Sequence, residues 1–121
     1  MNILIVDDSK SIHSFVTDIF KPTAHVLTHV YSGEEALQQL EKQCNFDVVL
    51  LDWEMPGLNG PDTLVKMRKK HSKLKIIMMT SKNKIEDLTL AIERGASEYI
   101  MKPFSSDILL SRLDEVCGEK F

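Results

Sequence analysis

Asn2-Ile3-Leu4-Ile5-Val6-Asp7-Asp8 decides the fold: a short apolar run, Ile3 to Val6, stops on two adjacent acids. Apolar runs of about four to eight residues, bounded by polar ones, read as buried strands. The same figure returns along the chain. Val48-Val49-Leu50-Leu51 stops on Asp52, the run from Lys75 stops on Thr80, and Tyr99-Ile100-Met101 stops on Lys102-Pro103. Parallel strands of this kind would deliver Asp7, Asp8, Asp52, Thr80 and Lys102 to one edge of a sheet. Two carboxylates about 4 Å apart repel by roughly 4 kcal/mol at an effective dielectric near 20, so acids gathered there call for a cation. Oxygen ligands alone favour Mg²⁺ or Ca²⁺. A lysine and a hydroxyl alongside suit the oxygens of a phosphoryl group.

Working outward, helical and strand patterns alternate. Ile12, Phe15, Val16, Ile19 and Phe20 keep the spacing of an amphipathic helix, which must stop near Pro22. Val26 to Val30 is a weaker strand. Ser32 is a candidate cap for a second helix, with Glu34 and Glu35 in its first turn, where the helix dipole favours acids. Met55-Pro56-Gly57-Leu58-Asn59-Gly60 is a loop whose two glycines are available for positive φ, and Pro61 suits the first turn of a third helix. Ile85, Leu88 and Ile92 mark a fourth helix closed by Gly95. Asp107 to Val116 is a fifth, with Leu109, Leu110, Leu113 and Val116 on or near its apolar face. Strict βα alternation implies an α/β fold, a doubly wound parallel sheet of five strands covered on both faces by five helices, with right-handed crossovers. Sites in such sheets form beyond the carboxyl ends of the strands.

The 121 residues fit one domain, 1–121, and 43% of them are hydrophobic, enough for a core. A net charge of −3 argues against a large nucleic-acid face. No apolar run approaches the ~20 residues of a membrane span, and Met1-Asn2-Ile3 lacks the basic start of a signal peptide. Cys44 and Cys117 share no metal-type spacing, fit a reduced cytoplasmic protein, and are expected to be inert. His25 and His29 lie on one face of a strand without a third ligand and read as structural. His13 and His71 read as surface residues, and Met78 and Met79 as core fillers. Lys66, Arg68, Lys69, Lys70, Lys73 and Lys75 read as a solvated face at a helix C-terminus.

The stretches Ile5-Val6-Asp7-Asp8-Ser9, Leu50-Leu51-Asp52-Trp53-Glu54-Met55-Pro56-Gly57, Met79-Thr80-Ser81 and Gly95-Ala96-Ser97-Glu98-Tyr99-Ile100-Met101-Lys102-Pro103-Phe104 resemble the receiver domain of bacterial two-component signalling, most of all a stand-alone, chemotaxis-type response regulator. The resemblance spans nearly the whole chain. It implies a flavodoxin-like strand order of 2-1-3-4-5. It implies that Asp52 accepts a phosphoryl group from a histidine kinase, and that Asp7, Asp8, Asp52 and the backbone carbonyl of Glu54 hold Mg²⁺. Lys102 and Thr80 would each meet a phosphoryl oxygen, and small Ser81 would leave an entry path. Lys102-Pro103 is a candidate cis peptide on the same ground. Thr80 and Tyr99 match the family's switch pair, so a target protein would read the fourth helix, fifth strand and fifth helix.

Some features depart from the common pattern. Glu54 and Lys82 would face each other across the mouth of the site, as a gate that modulates loss of the phosphoryl group or as two solvated side chains worth at most about 1 kcal/mol as a pair. Trp53 reads as a partly exposed loop aromatic whose fluorescence would report Mg²⁺. Arg112 and Glu98 could pair across a dimer, but Ile108 and Asp114 stand where that mode wants an acid and a base, so a monomer without direct DNA or membrane binding is expected. Ile108 is either an exposed anchor or core. The chain would catalyse only its own phosphorylation and dephosphorylation. Alternatives are a receiver portion of a larger regulator or hybrid kinase, a receiver that takes no phosphate and acts as a scaffold, and an aspartyl-phosphate hydrolase. The hydrolase would want Asp-x-Asp after the first strand, where this chain has adjacent acids.

Overall fold

The computed structural model describes residues 1–43 and 45–118; Cys44 lies outside them. Strands and helices alternate throughout. They are β1 (Asn2–Val6), α1 (Lys10–Phe20), β2 (Val26–Val30), α2 (Gly33–Lys42), β3 (Val48–Asp52), α3 (Gly60–Lys70), β4 (Lys75–Thr80), α4 (Ile85–Glu93), β5 (Glu98–Met101) and α5 (Ser106–Cys117). All pairings are parallel and the order is β2-β1-β3-β4-β5. β1 and β3 therefore lie side by side, while their following helices leave on opposite faces, which opens a crevice at their carboxyl ends.

Side-chain alternation along each strand splits the core in two. Leu4, Val49, Leu51 and Met78 pack beneath α2 and α3 through Ala36, Leu40, Leu64 and Met67. Ile5, Leu50, Ile77 and Met79 pack beneath α1 and α5 through Val16, Phe20, Leu109 and Leu113. β3 is buried along its whole length, Asp52 included, which holds the acid at its end in a fixed position. Met78 and Met79 are fully buried, as their place in a central strand requires.

Local chemistry accounts for the helix boundaries. Ser32 accepts a hydrogen bond from the Glu35 N–H and starts α2. Asn59 caps α3 through the Asp62 N–H, with Pro61 in the first turn. Ser105 caps α5 through the Ile108 N–H. Gly57 does use positive φ, at 78°. Gly60 does not; its missing Cβ leaves room for the backbone at the end of β3, where any side chain would collide with the Asp52 carbonyl oxygen.

α4 departs from simple burial. Its Ile85-Leu88-Ile92 row forms the helix the spacing indicates, yet Ile85 is 78% and Ile92 46% exposed, and Ala91 is its buried contact. Packing through a small residue brings the helix down on its alanine side and turns the isoleucines outward. Among the described residues no helix is long and apolar enough to cross a membrane.

Candidate functional site

β1, β3, β4 and β5 end at one rim, and the polar residues that terminate them converge there. Asp7 is fully buried. Its Oδ1 accepts the Ser9 N–H at 2.8 Å, a local turn that sends the chain into α1, and its Oδ2 accepts from Lys102 Nζ at 2.9 Å. The same ammonium donates to Asp52 Oδ1 at 2.8 Å. One lysine thus bridges two acids that are far apart in sequence and neighbours in the sheet. Lys102 reaches them from β5 because its N–H bonds the Thr80 carbonyl at 2.7 Å, extending the β4–β5 ladder by one step. The Lys102–Pro103 peptide is cis. Asp8 is exposed at the mouth, and one oxygen from each of Asp7, Asp8 and Asp52 lies within 4.8 Å of the others.

The electrostatics are uneven. Burial pushes the Asp52 carboxyl up; the hydrogen bond from Lys102 opposes this, the charge of Asp7 adds to it, and the result is about 6 against an ordinary 3.8. Burial alone would lower the Lys102 ammonium, but its bonds to Asp52 and Asp7 prevail and raise it. With all groups ionised, three carboxylates face one ammonium, a formal surplus of two negative charges. An all-oxygen donor set with that surplus fits a hard divalent cation.

Thr80 is buried, and its Oγ1 accepts the Lys82 N–H at 2.8 Å. One of its two lone pairs is used, and among the described residues its hydroxyl proton has no side-chain or backbone acceptor. Ser81 is exposed. Glu54 and Lys82 meet at 3.5 Å across a cleft shared with Trp53, Met55, Pro56 and Asn59. Tyr99 is half-buried on β5 and lines two clefts, one toward α4 and one toward α5. Ile108 is 43% exposed beside the second of these, so it is no core residue. Arg112 pairs with Glu115 on its own helix at 3.6 Å.

Three expectations need correction. Arg68 is no part of a solvated face: it is half-buried, and its guanidinium donates to the carbonyls of His71, Leu74 and Gly95. Trp53 is not a partly exposed loop aromatic: it is 9% exposed and belongs to the core. Its N–H bonds the Met79 carbonyl and its carbonyl accepts from the Gly60 N–H. Strand pairing therefore persists one residue beyond β3, and the indole falls on the same face as Val49 and Leu51. His13 is not a surface residue either. It is 4% exposed, its Nε2–H donates to the Asp7 carbonyl at 2.8 Å, and its Nδ1 lies 2.7 Å from the Nδ1 of His29 on β2. Burial and the neighbouring His13 lower the pKa of His29. His13, Val16 and Phe20 are the buried residues of α1 at i, i+3 and i+7, so the position lies on the buried stripe, although spacing alone does not reveal that a polar residue there supports Asp7. His25 takes a structural place, its Nδ1 2.9 Å from the chain's amino terminus. His71 is half-buried as the C-cap of α3.

The response regulator receiver domain family matches residues 3–114. A chemotaxis protein CheY homolog of Campylobacter jejuni is 31% identical over 121 residues, covering 98% of this chain and 93% of that protein. The transcriptional regulatory protein CpxR of Escherichia coli is 34% identical over 111 residues, covering 92% of this chain but 47% of its own. The crystal structure of Vibrio cholerae chemotaxis protein CheY4 superposes with a TM-score of 0.88 at 29% identity, covering 95% of this chain and 97% of that one. The residues that gather at the carboxyl edge of the sheet are those that carry the resemblance in sequence, and the chain belongs to the response regulator receiver domain family of two-component signalling.

Proposed function

We propose that this receiver is a phosphorylation switch: Asp52 takes a phosphoryl group from a histidine kinase, and the resulting charge alters the α4–β5–α5 face for a target protein. The observation that carries the reading is the Lys102 ammonium held within 2.9 Å of both Asp7 and Asp52. Such a bridge holds Asp52 through Oδ1 and leaves its other carboxylate oxygen, not bound by the lysine, to attack an incoming phosphorus. That oxygen attacks, the phosphorus–nitrogen bond to the donor imidazole breaks, and the electron pair returns to the ring nitrogen.

The chain's own groups divide the work. Lys102 follows the charge from the carboxylate to a phosphoryl oxygen, and Thr80 donates a hydrogen bond from its hydroxyl to another. Asp7, Asp8, Asp52 and the Glu54 carbonyl would hold Mg²⁺, which when bound neutralises charge on the transferring group. Thr80 moving toward the phosphoryl oxygen vacates space behind it, and Tyr99, half-buried between its two clefts, turns inward. A group of charge near −2 supplies the bias. The Glu54–Lys82 pair partly covers the mouth and slows attack by water. Ser81 keeps the donor's path open.

On this reading the protein turns over no external metabolite, works as a monomer in the cytoplasm beside its kinase, and binds no DNA itself. The test is to incubate it with Mg²⁺ and acetyl phosphate or phosphoramidate and to weigh it intact. An acid-stable, base-labile gain of one phosphoryl group, absent from Asp52→Asn and from samples without divalent cation, is expected. An unmodified wild type, or a modified Asp52→Asn, refutes the reading.

A further inference from the structure

A further cleft lies between α2 and α3, lined by neither the acids of the phosphorylation site nor Tyr99. Its volume is about 280 Å³ and its floor is apolar, built from Leu37, Leu40 and Met67. Its rim is cationic. Lys66, Lys69 and Lys70 stand at i, i+3 and i+4 on α3 and so share one face of the helix. Lys70 meets Glu41 of α2 at 3.6 Å, while Lys66 and Lys69 have no acidic partner among the described residues. Cations at a helix C-terminus suit its dipole, but that accounts for neither the apolar depression beside them nor their gathering on one side of a chain whose net charge is −3.

We infer that this cleft docks an acidic peptide segment of a partner protein, with one bulky apolar side chain entering the floor and flanking carboxylates meeting Lys66 and Lys69. The Glu41–Lys70 pair is the internal precedent: a carboxylate already rests against this rim. The volume suits a single large side chain. A nucleic-acid strand fits less well, because the lining offers a lone imidazole, His71, and no run of rings for successive bases to stack on, and the floor presents no polar group to read one. A flat lipid surface would meet the lysines but leave the depression empty.

The test uses the full chain and a fluorescently labelled peptide with a central phenylalanine between pairs of glutamates, followed by anisotropy and by amide NMR shifts. Control probes are the same peptide with glycine for phenylalanine, a lysine-flanked version, anionic phosphatidylglycerol vesicles and single-stranded DNA. Saturable binding of the acidic phenylalanine peptide is expected, with shifts confined to α2 and α3. The Lys66→Glu, Lys69→Glu double variant should weaken it about tenfold, because each exposed pair becomes a repulsion. Both lysines are exposed, so the variant should fold, which circular dichroism checks; Leu37→Asn supplies an independent loss through the floor. Absence of binding, equal binding by the double variant or by the glycine peptide, or preference for vesicles or DNA overturns the inference.

Discussion

Replacing Asp52 by asparagine should stabilise the protein in the absence of divalent cation at neutral pH, although it destroys the proposed phosphorylation site. Burial, tempered by the Lys102 hydrogen bond and reinforced by Asp7, pushes the Asp52 carboxyl up to about 6 from 3.8. Between those two values the folded chain holds a proton that the unfolded chain has released. Stability therefore falls as pH rises through that window, and the deficit is complete above it. About two pKa units at roughly 1.4 kcal/mol each set a ceiling near 3 kcal/mol. Asparagine keeps the shape, leaves Lys102 its bond to Asp7, and should recover about 1–3 kcal/mol of this. Urea denaturation in EDTA at several pH values gives the difference between variant and wild type. It should be near zero at about pH 4 and reach its full value by about pH 7.5. Excess Mg²⁺ should shrink or reverse it, because a cation that binds the folded state stabilises the wild type by mass action. A variant less stable than wild type at neutral pH in EDTA, or a gain that ignores pH, would refute the reasoning.

Other perturbations probe the frame around the site. Gly60→Ala would drive a methyl into the Asp52 carbonyl oxygen and to 2.7 Å from the Trp53 Cα. The backbone must shift, at a cost of about 1–3 kcal/mol, and the phosphorylation rate measured by intact mass should fall; an unperturbed rate contradicts the rigid seating of Asp52. Glu54→Ala and Lys82→Ala should each speed self-dephosphorylation by a few-fold at most, since an exposed pair is worth about 1 kcal/mol or less; unchanged rates dispose of the gate. Arg68 donates to the carbonyls of His71 and Leu74 at 2.8 and 2.6 Å, and to that of Gly95 through both Nε and Nη2 at 3.1 and 2.6 Å. Arg68→Met should cost on the order of 2–4 kcal/mol in thermal or urea unfolding, and a loss under about 1 kcal/mol would mean that water replaces this staple between α3 and the end of α4.

What could be read in advance divides along physical lines. The central strands β1, β3 and β4 declared themselves because burial on both faces demands continuous apolar residues, and each of those runs ended on a residue with different work to do; the part-buried edge strands β2 and β5 are less continuous. The meeting of Asp7, Asp52 and Lys102 followed from sheet geometry and from the family resemblance, which supplied the roles that geometry alone leaves open. Trp53 and His13 were misplaced by polarity and position. Trp53 follows a polar residue at a strand end, yet its backbone bonds to Met79 and Gly60 keep it on the sheet. His13 is polar, yet its burial is settled by His29 and Tyr31 arriving from β2 and its end, with ring centroids 4.9 and 4.3 Å away. Neither neighbour is visible from α1 itself. The outward isoleucines of α4 show the converse: a helical period locates a helix but not which side of it meets the core.

The most direct measurement of the central claim locates the phosphoryl group rather than weighing it. Borohydride reduces an acyl phosphate on aspartate to homoserine, which tandem mass spectrometry of peptides places in the sequence. After treatment with Mg²⁺ and acetyl phosphate, homoserine should appear at position 52 and be lost in Lys102→Ala or fall sharply there. Homoserine at position 7 or 8, or a modification that survives base and resists borohydride, would contradict the account.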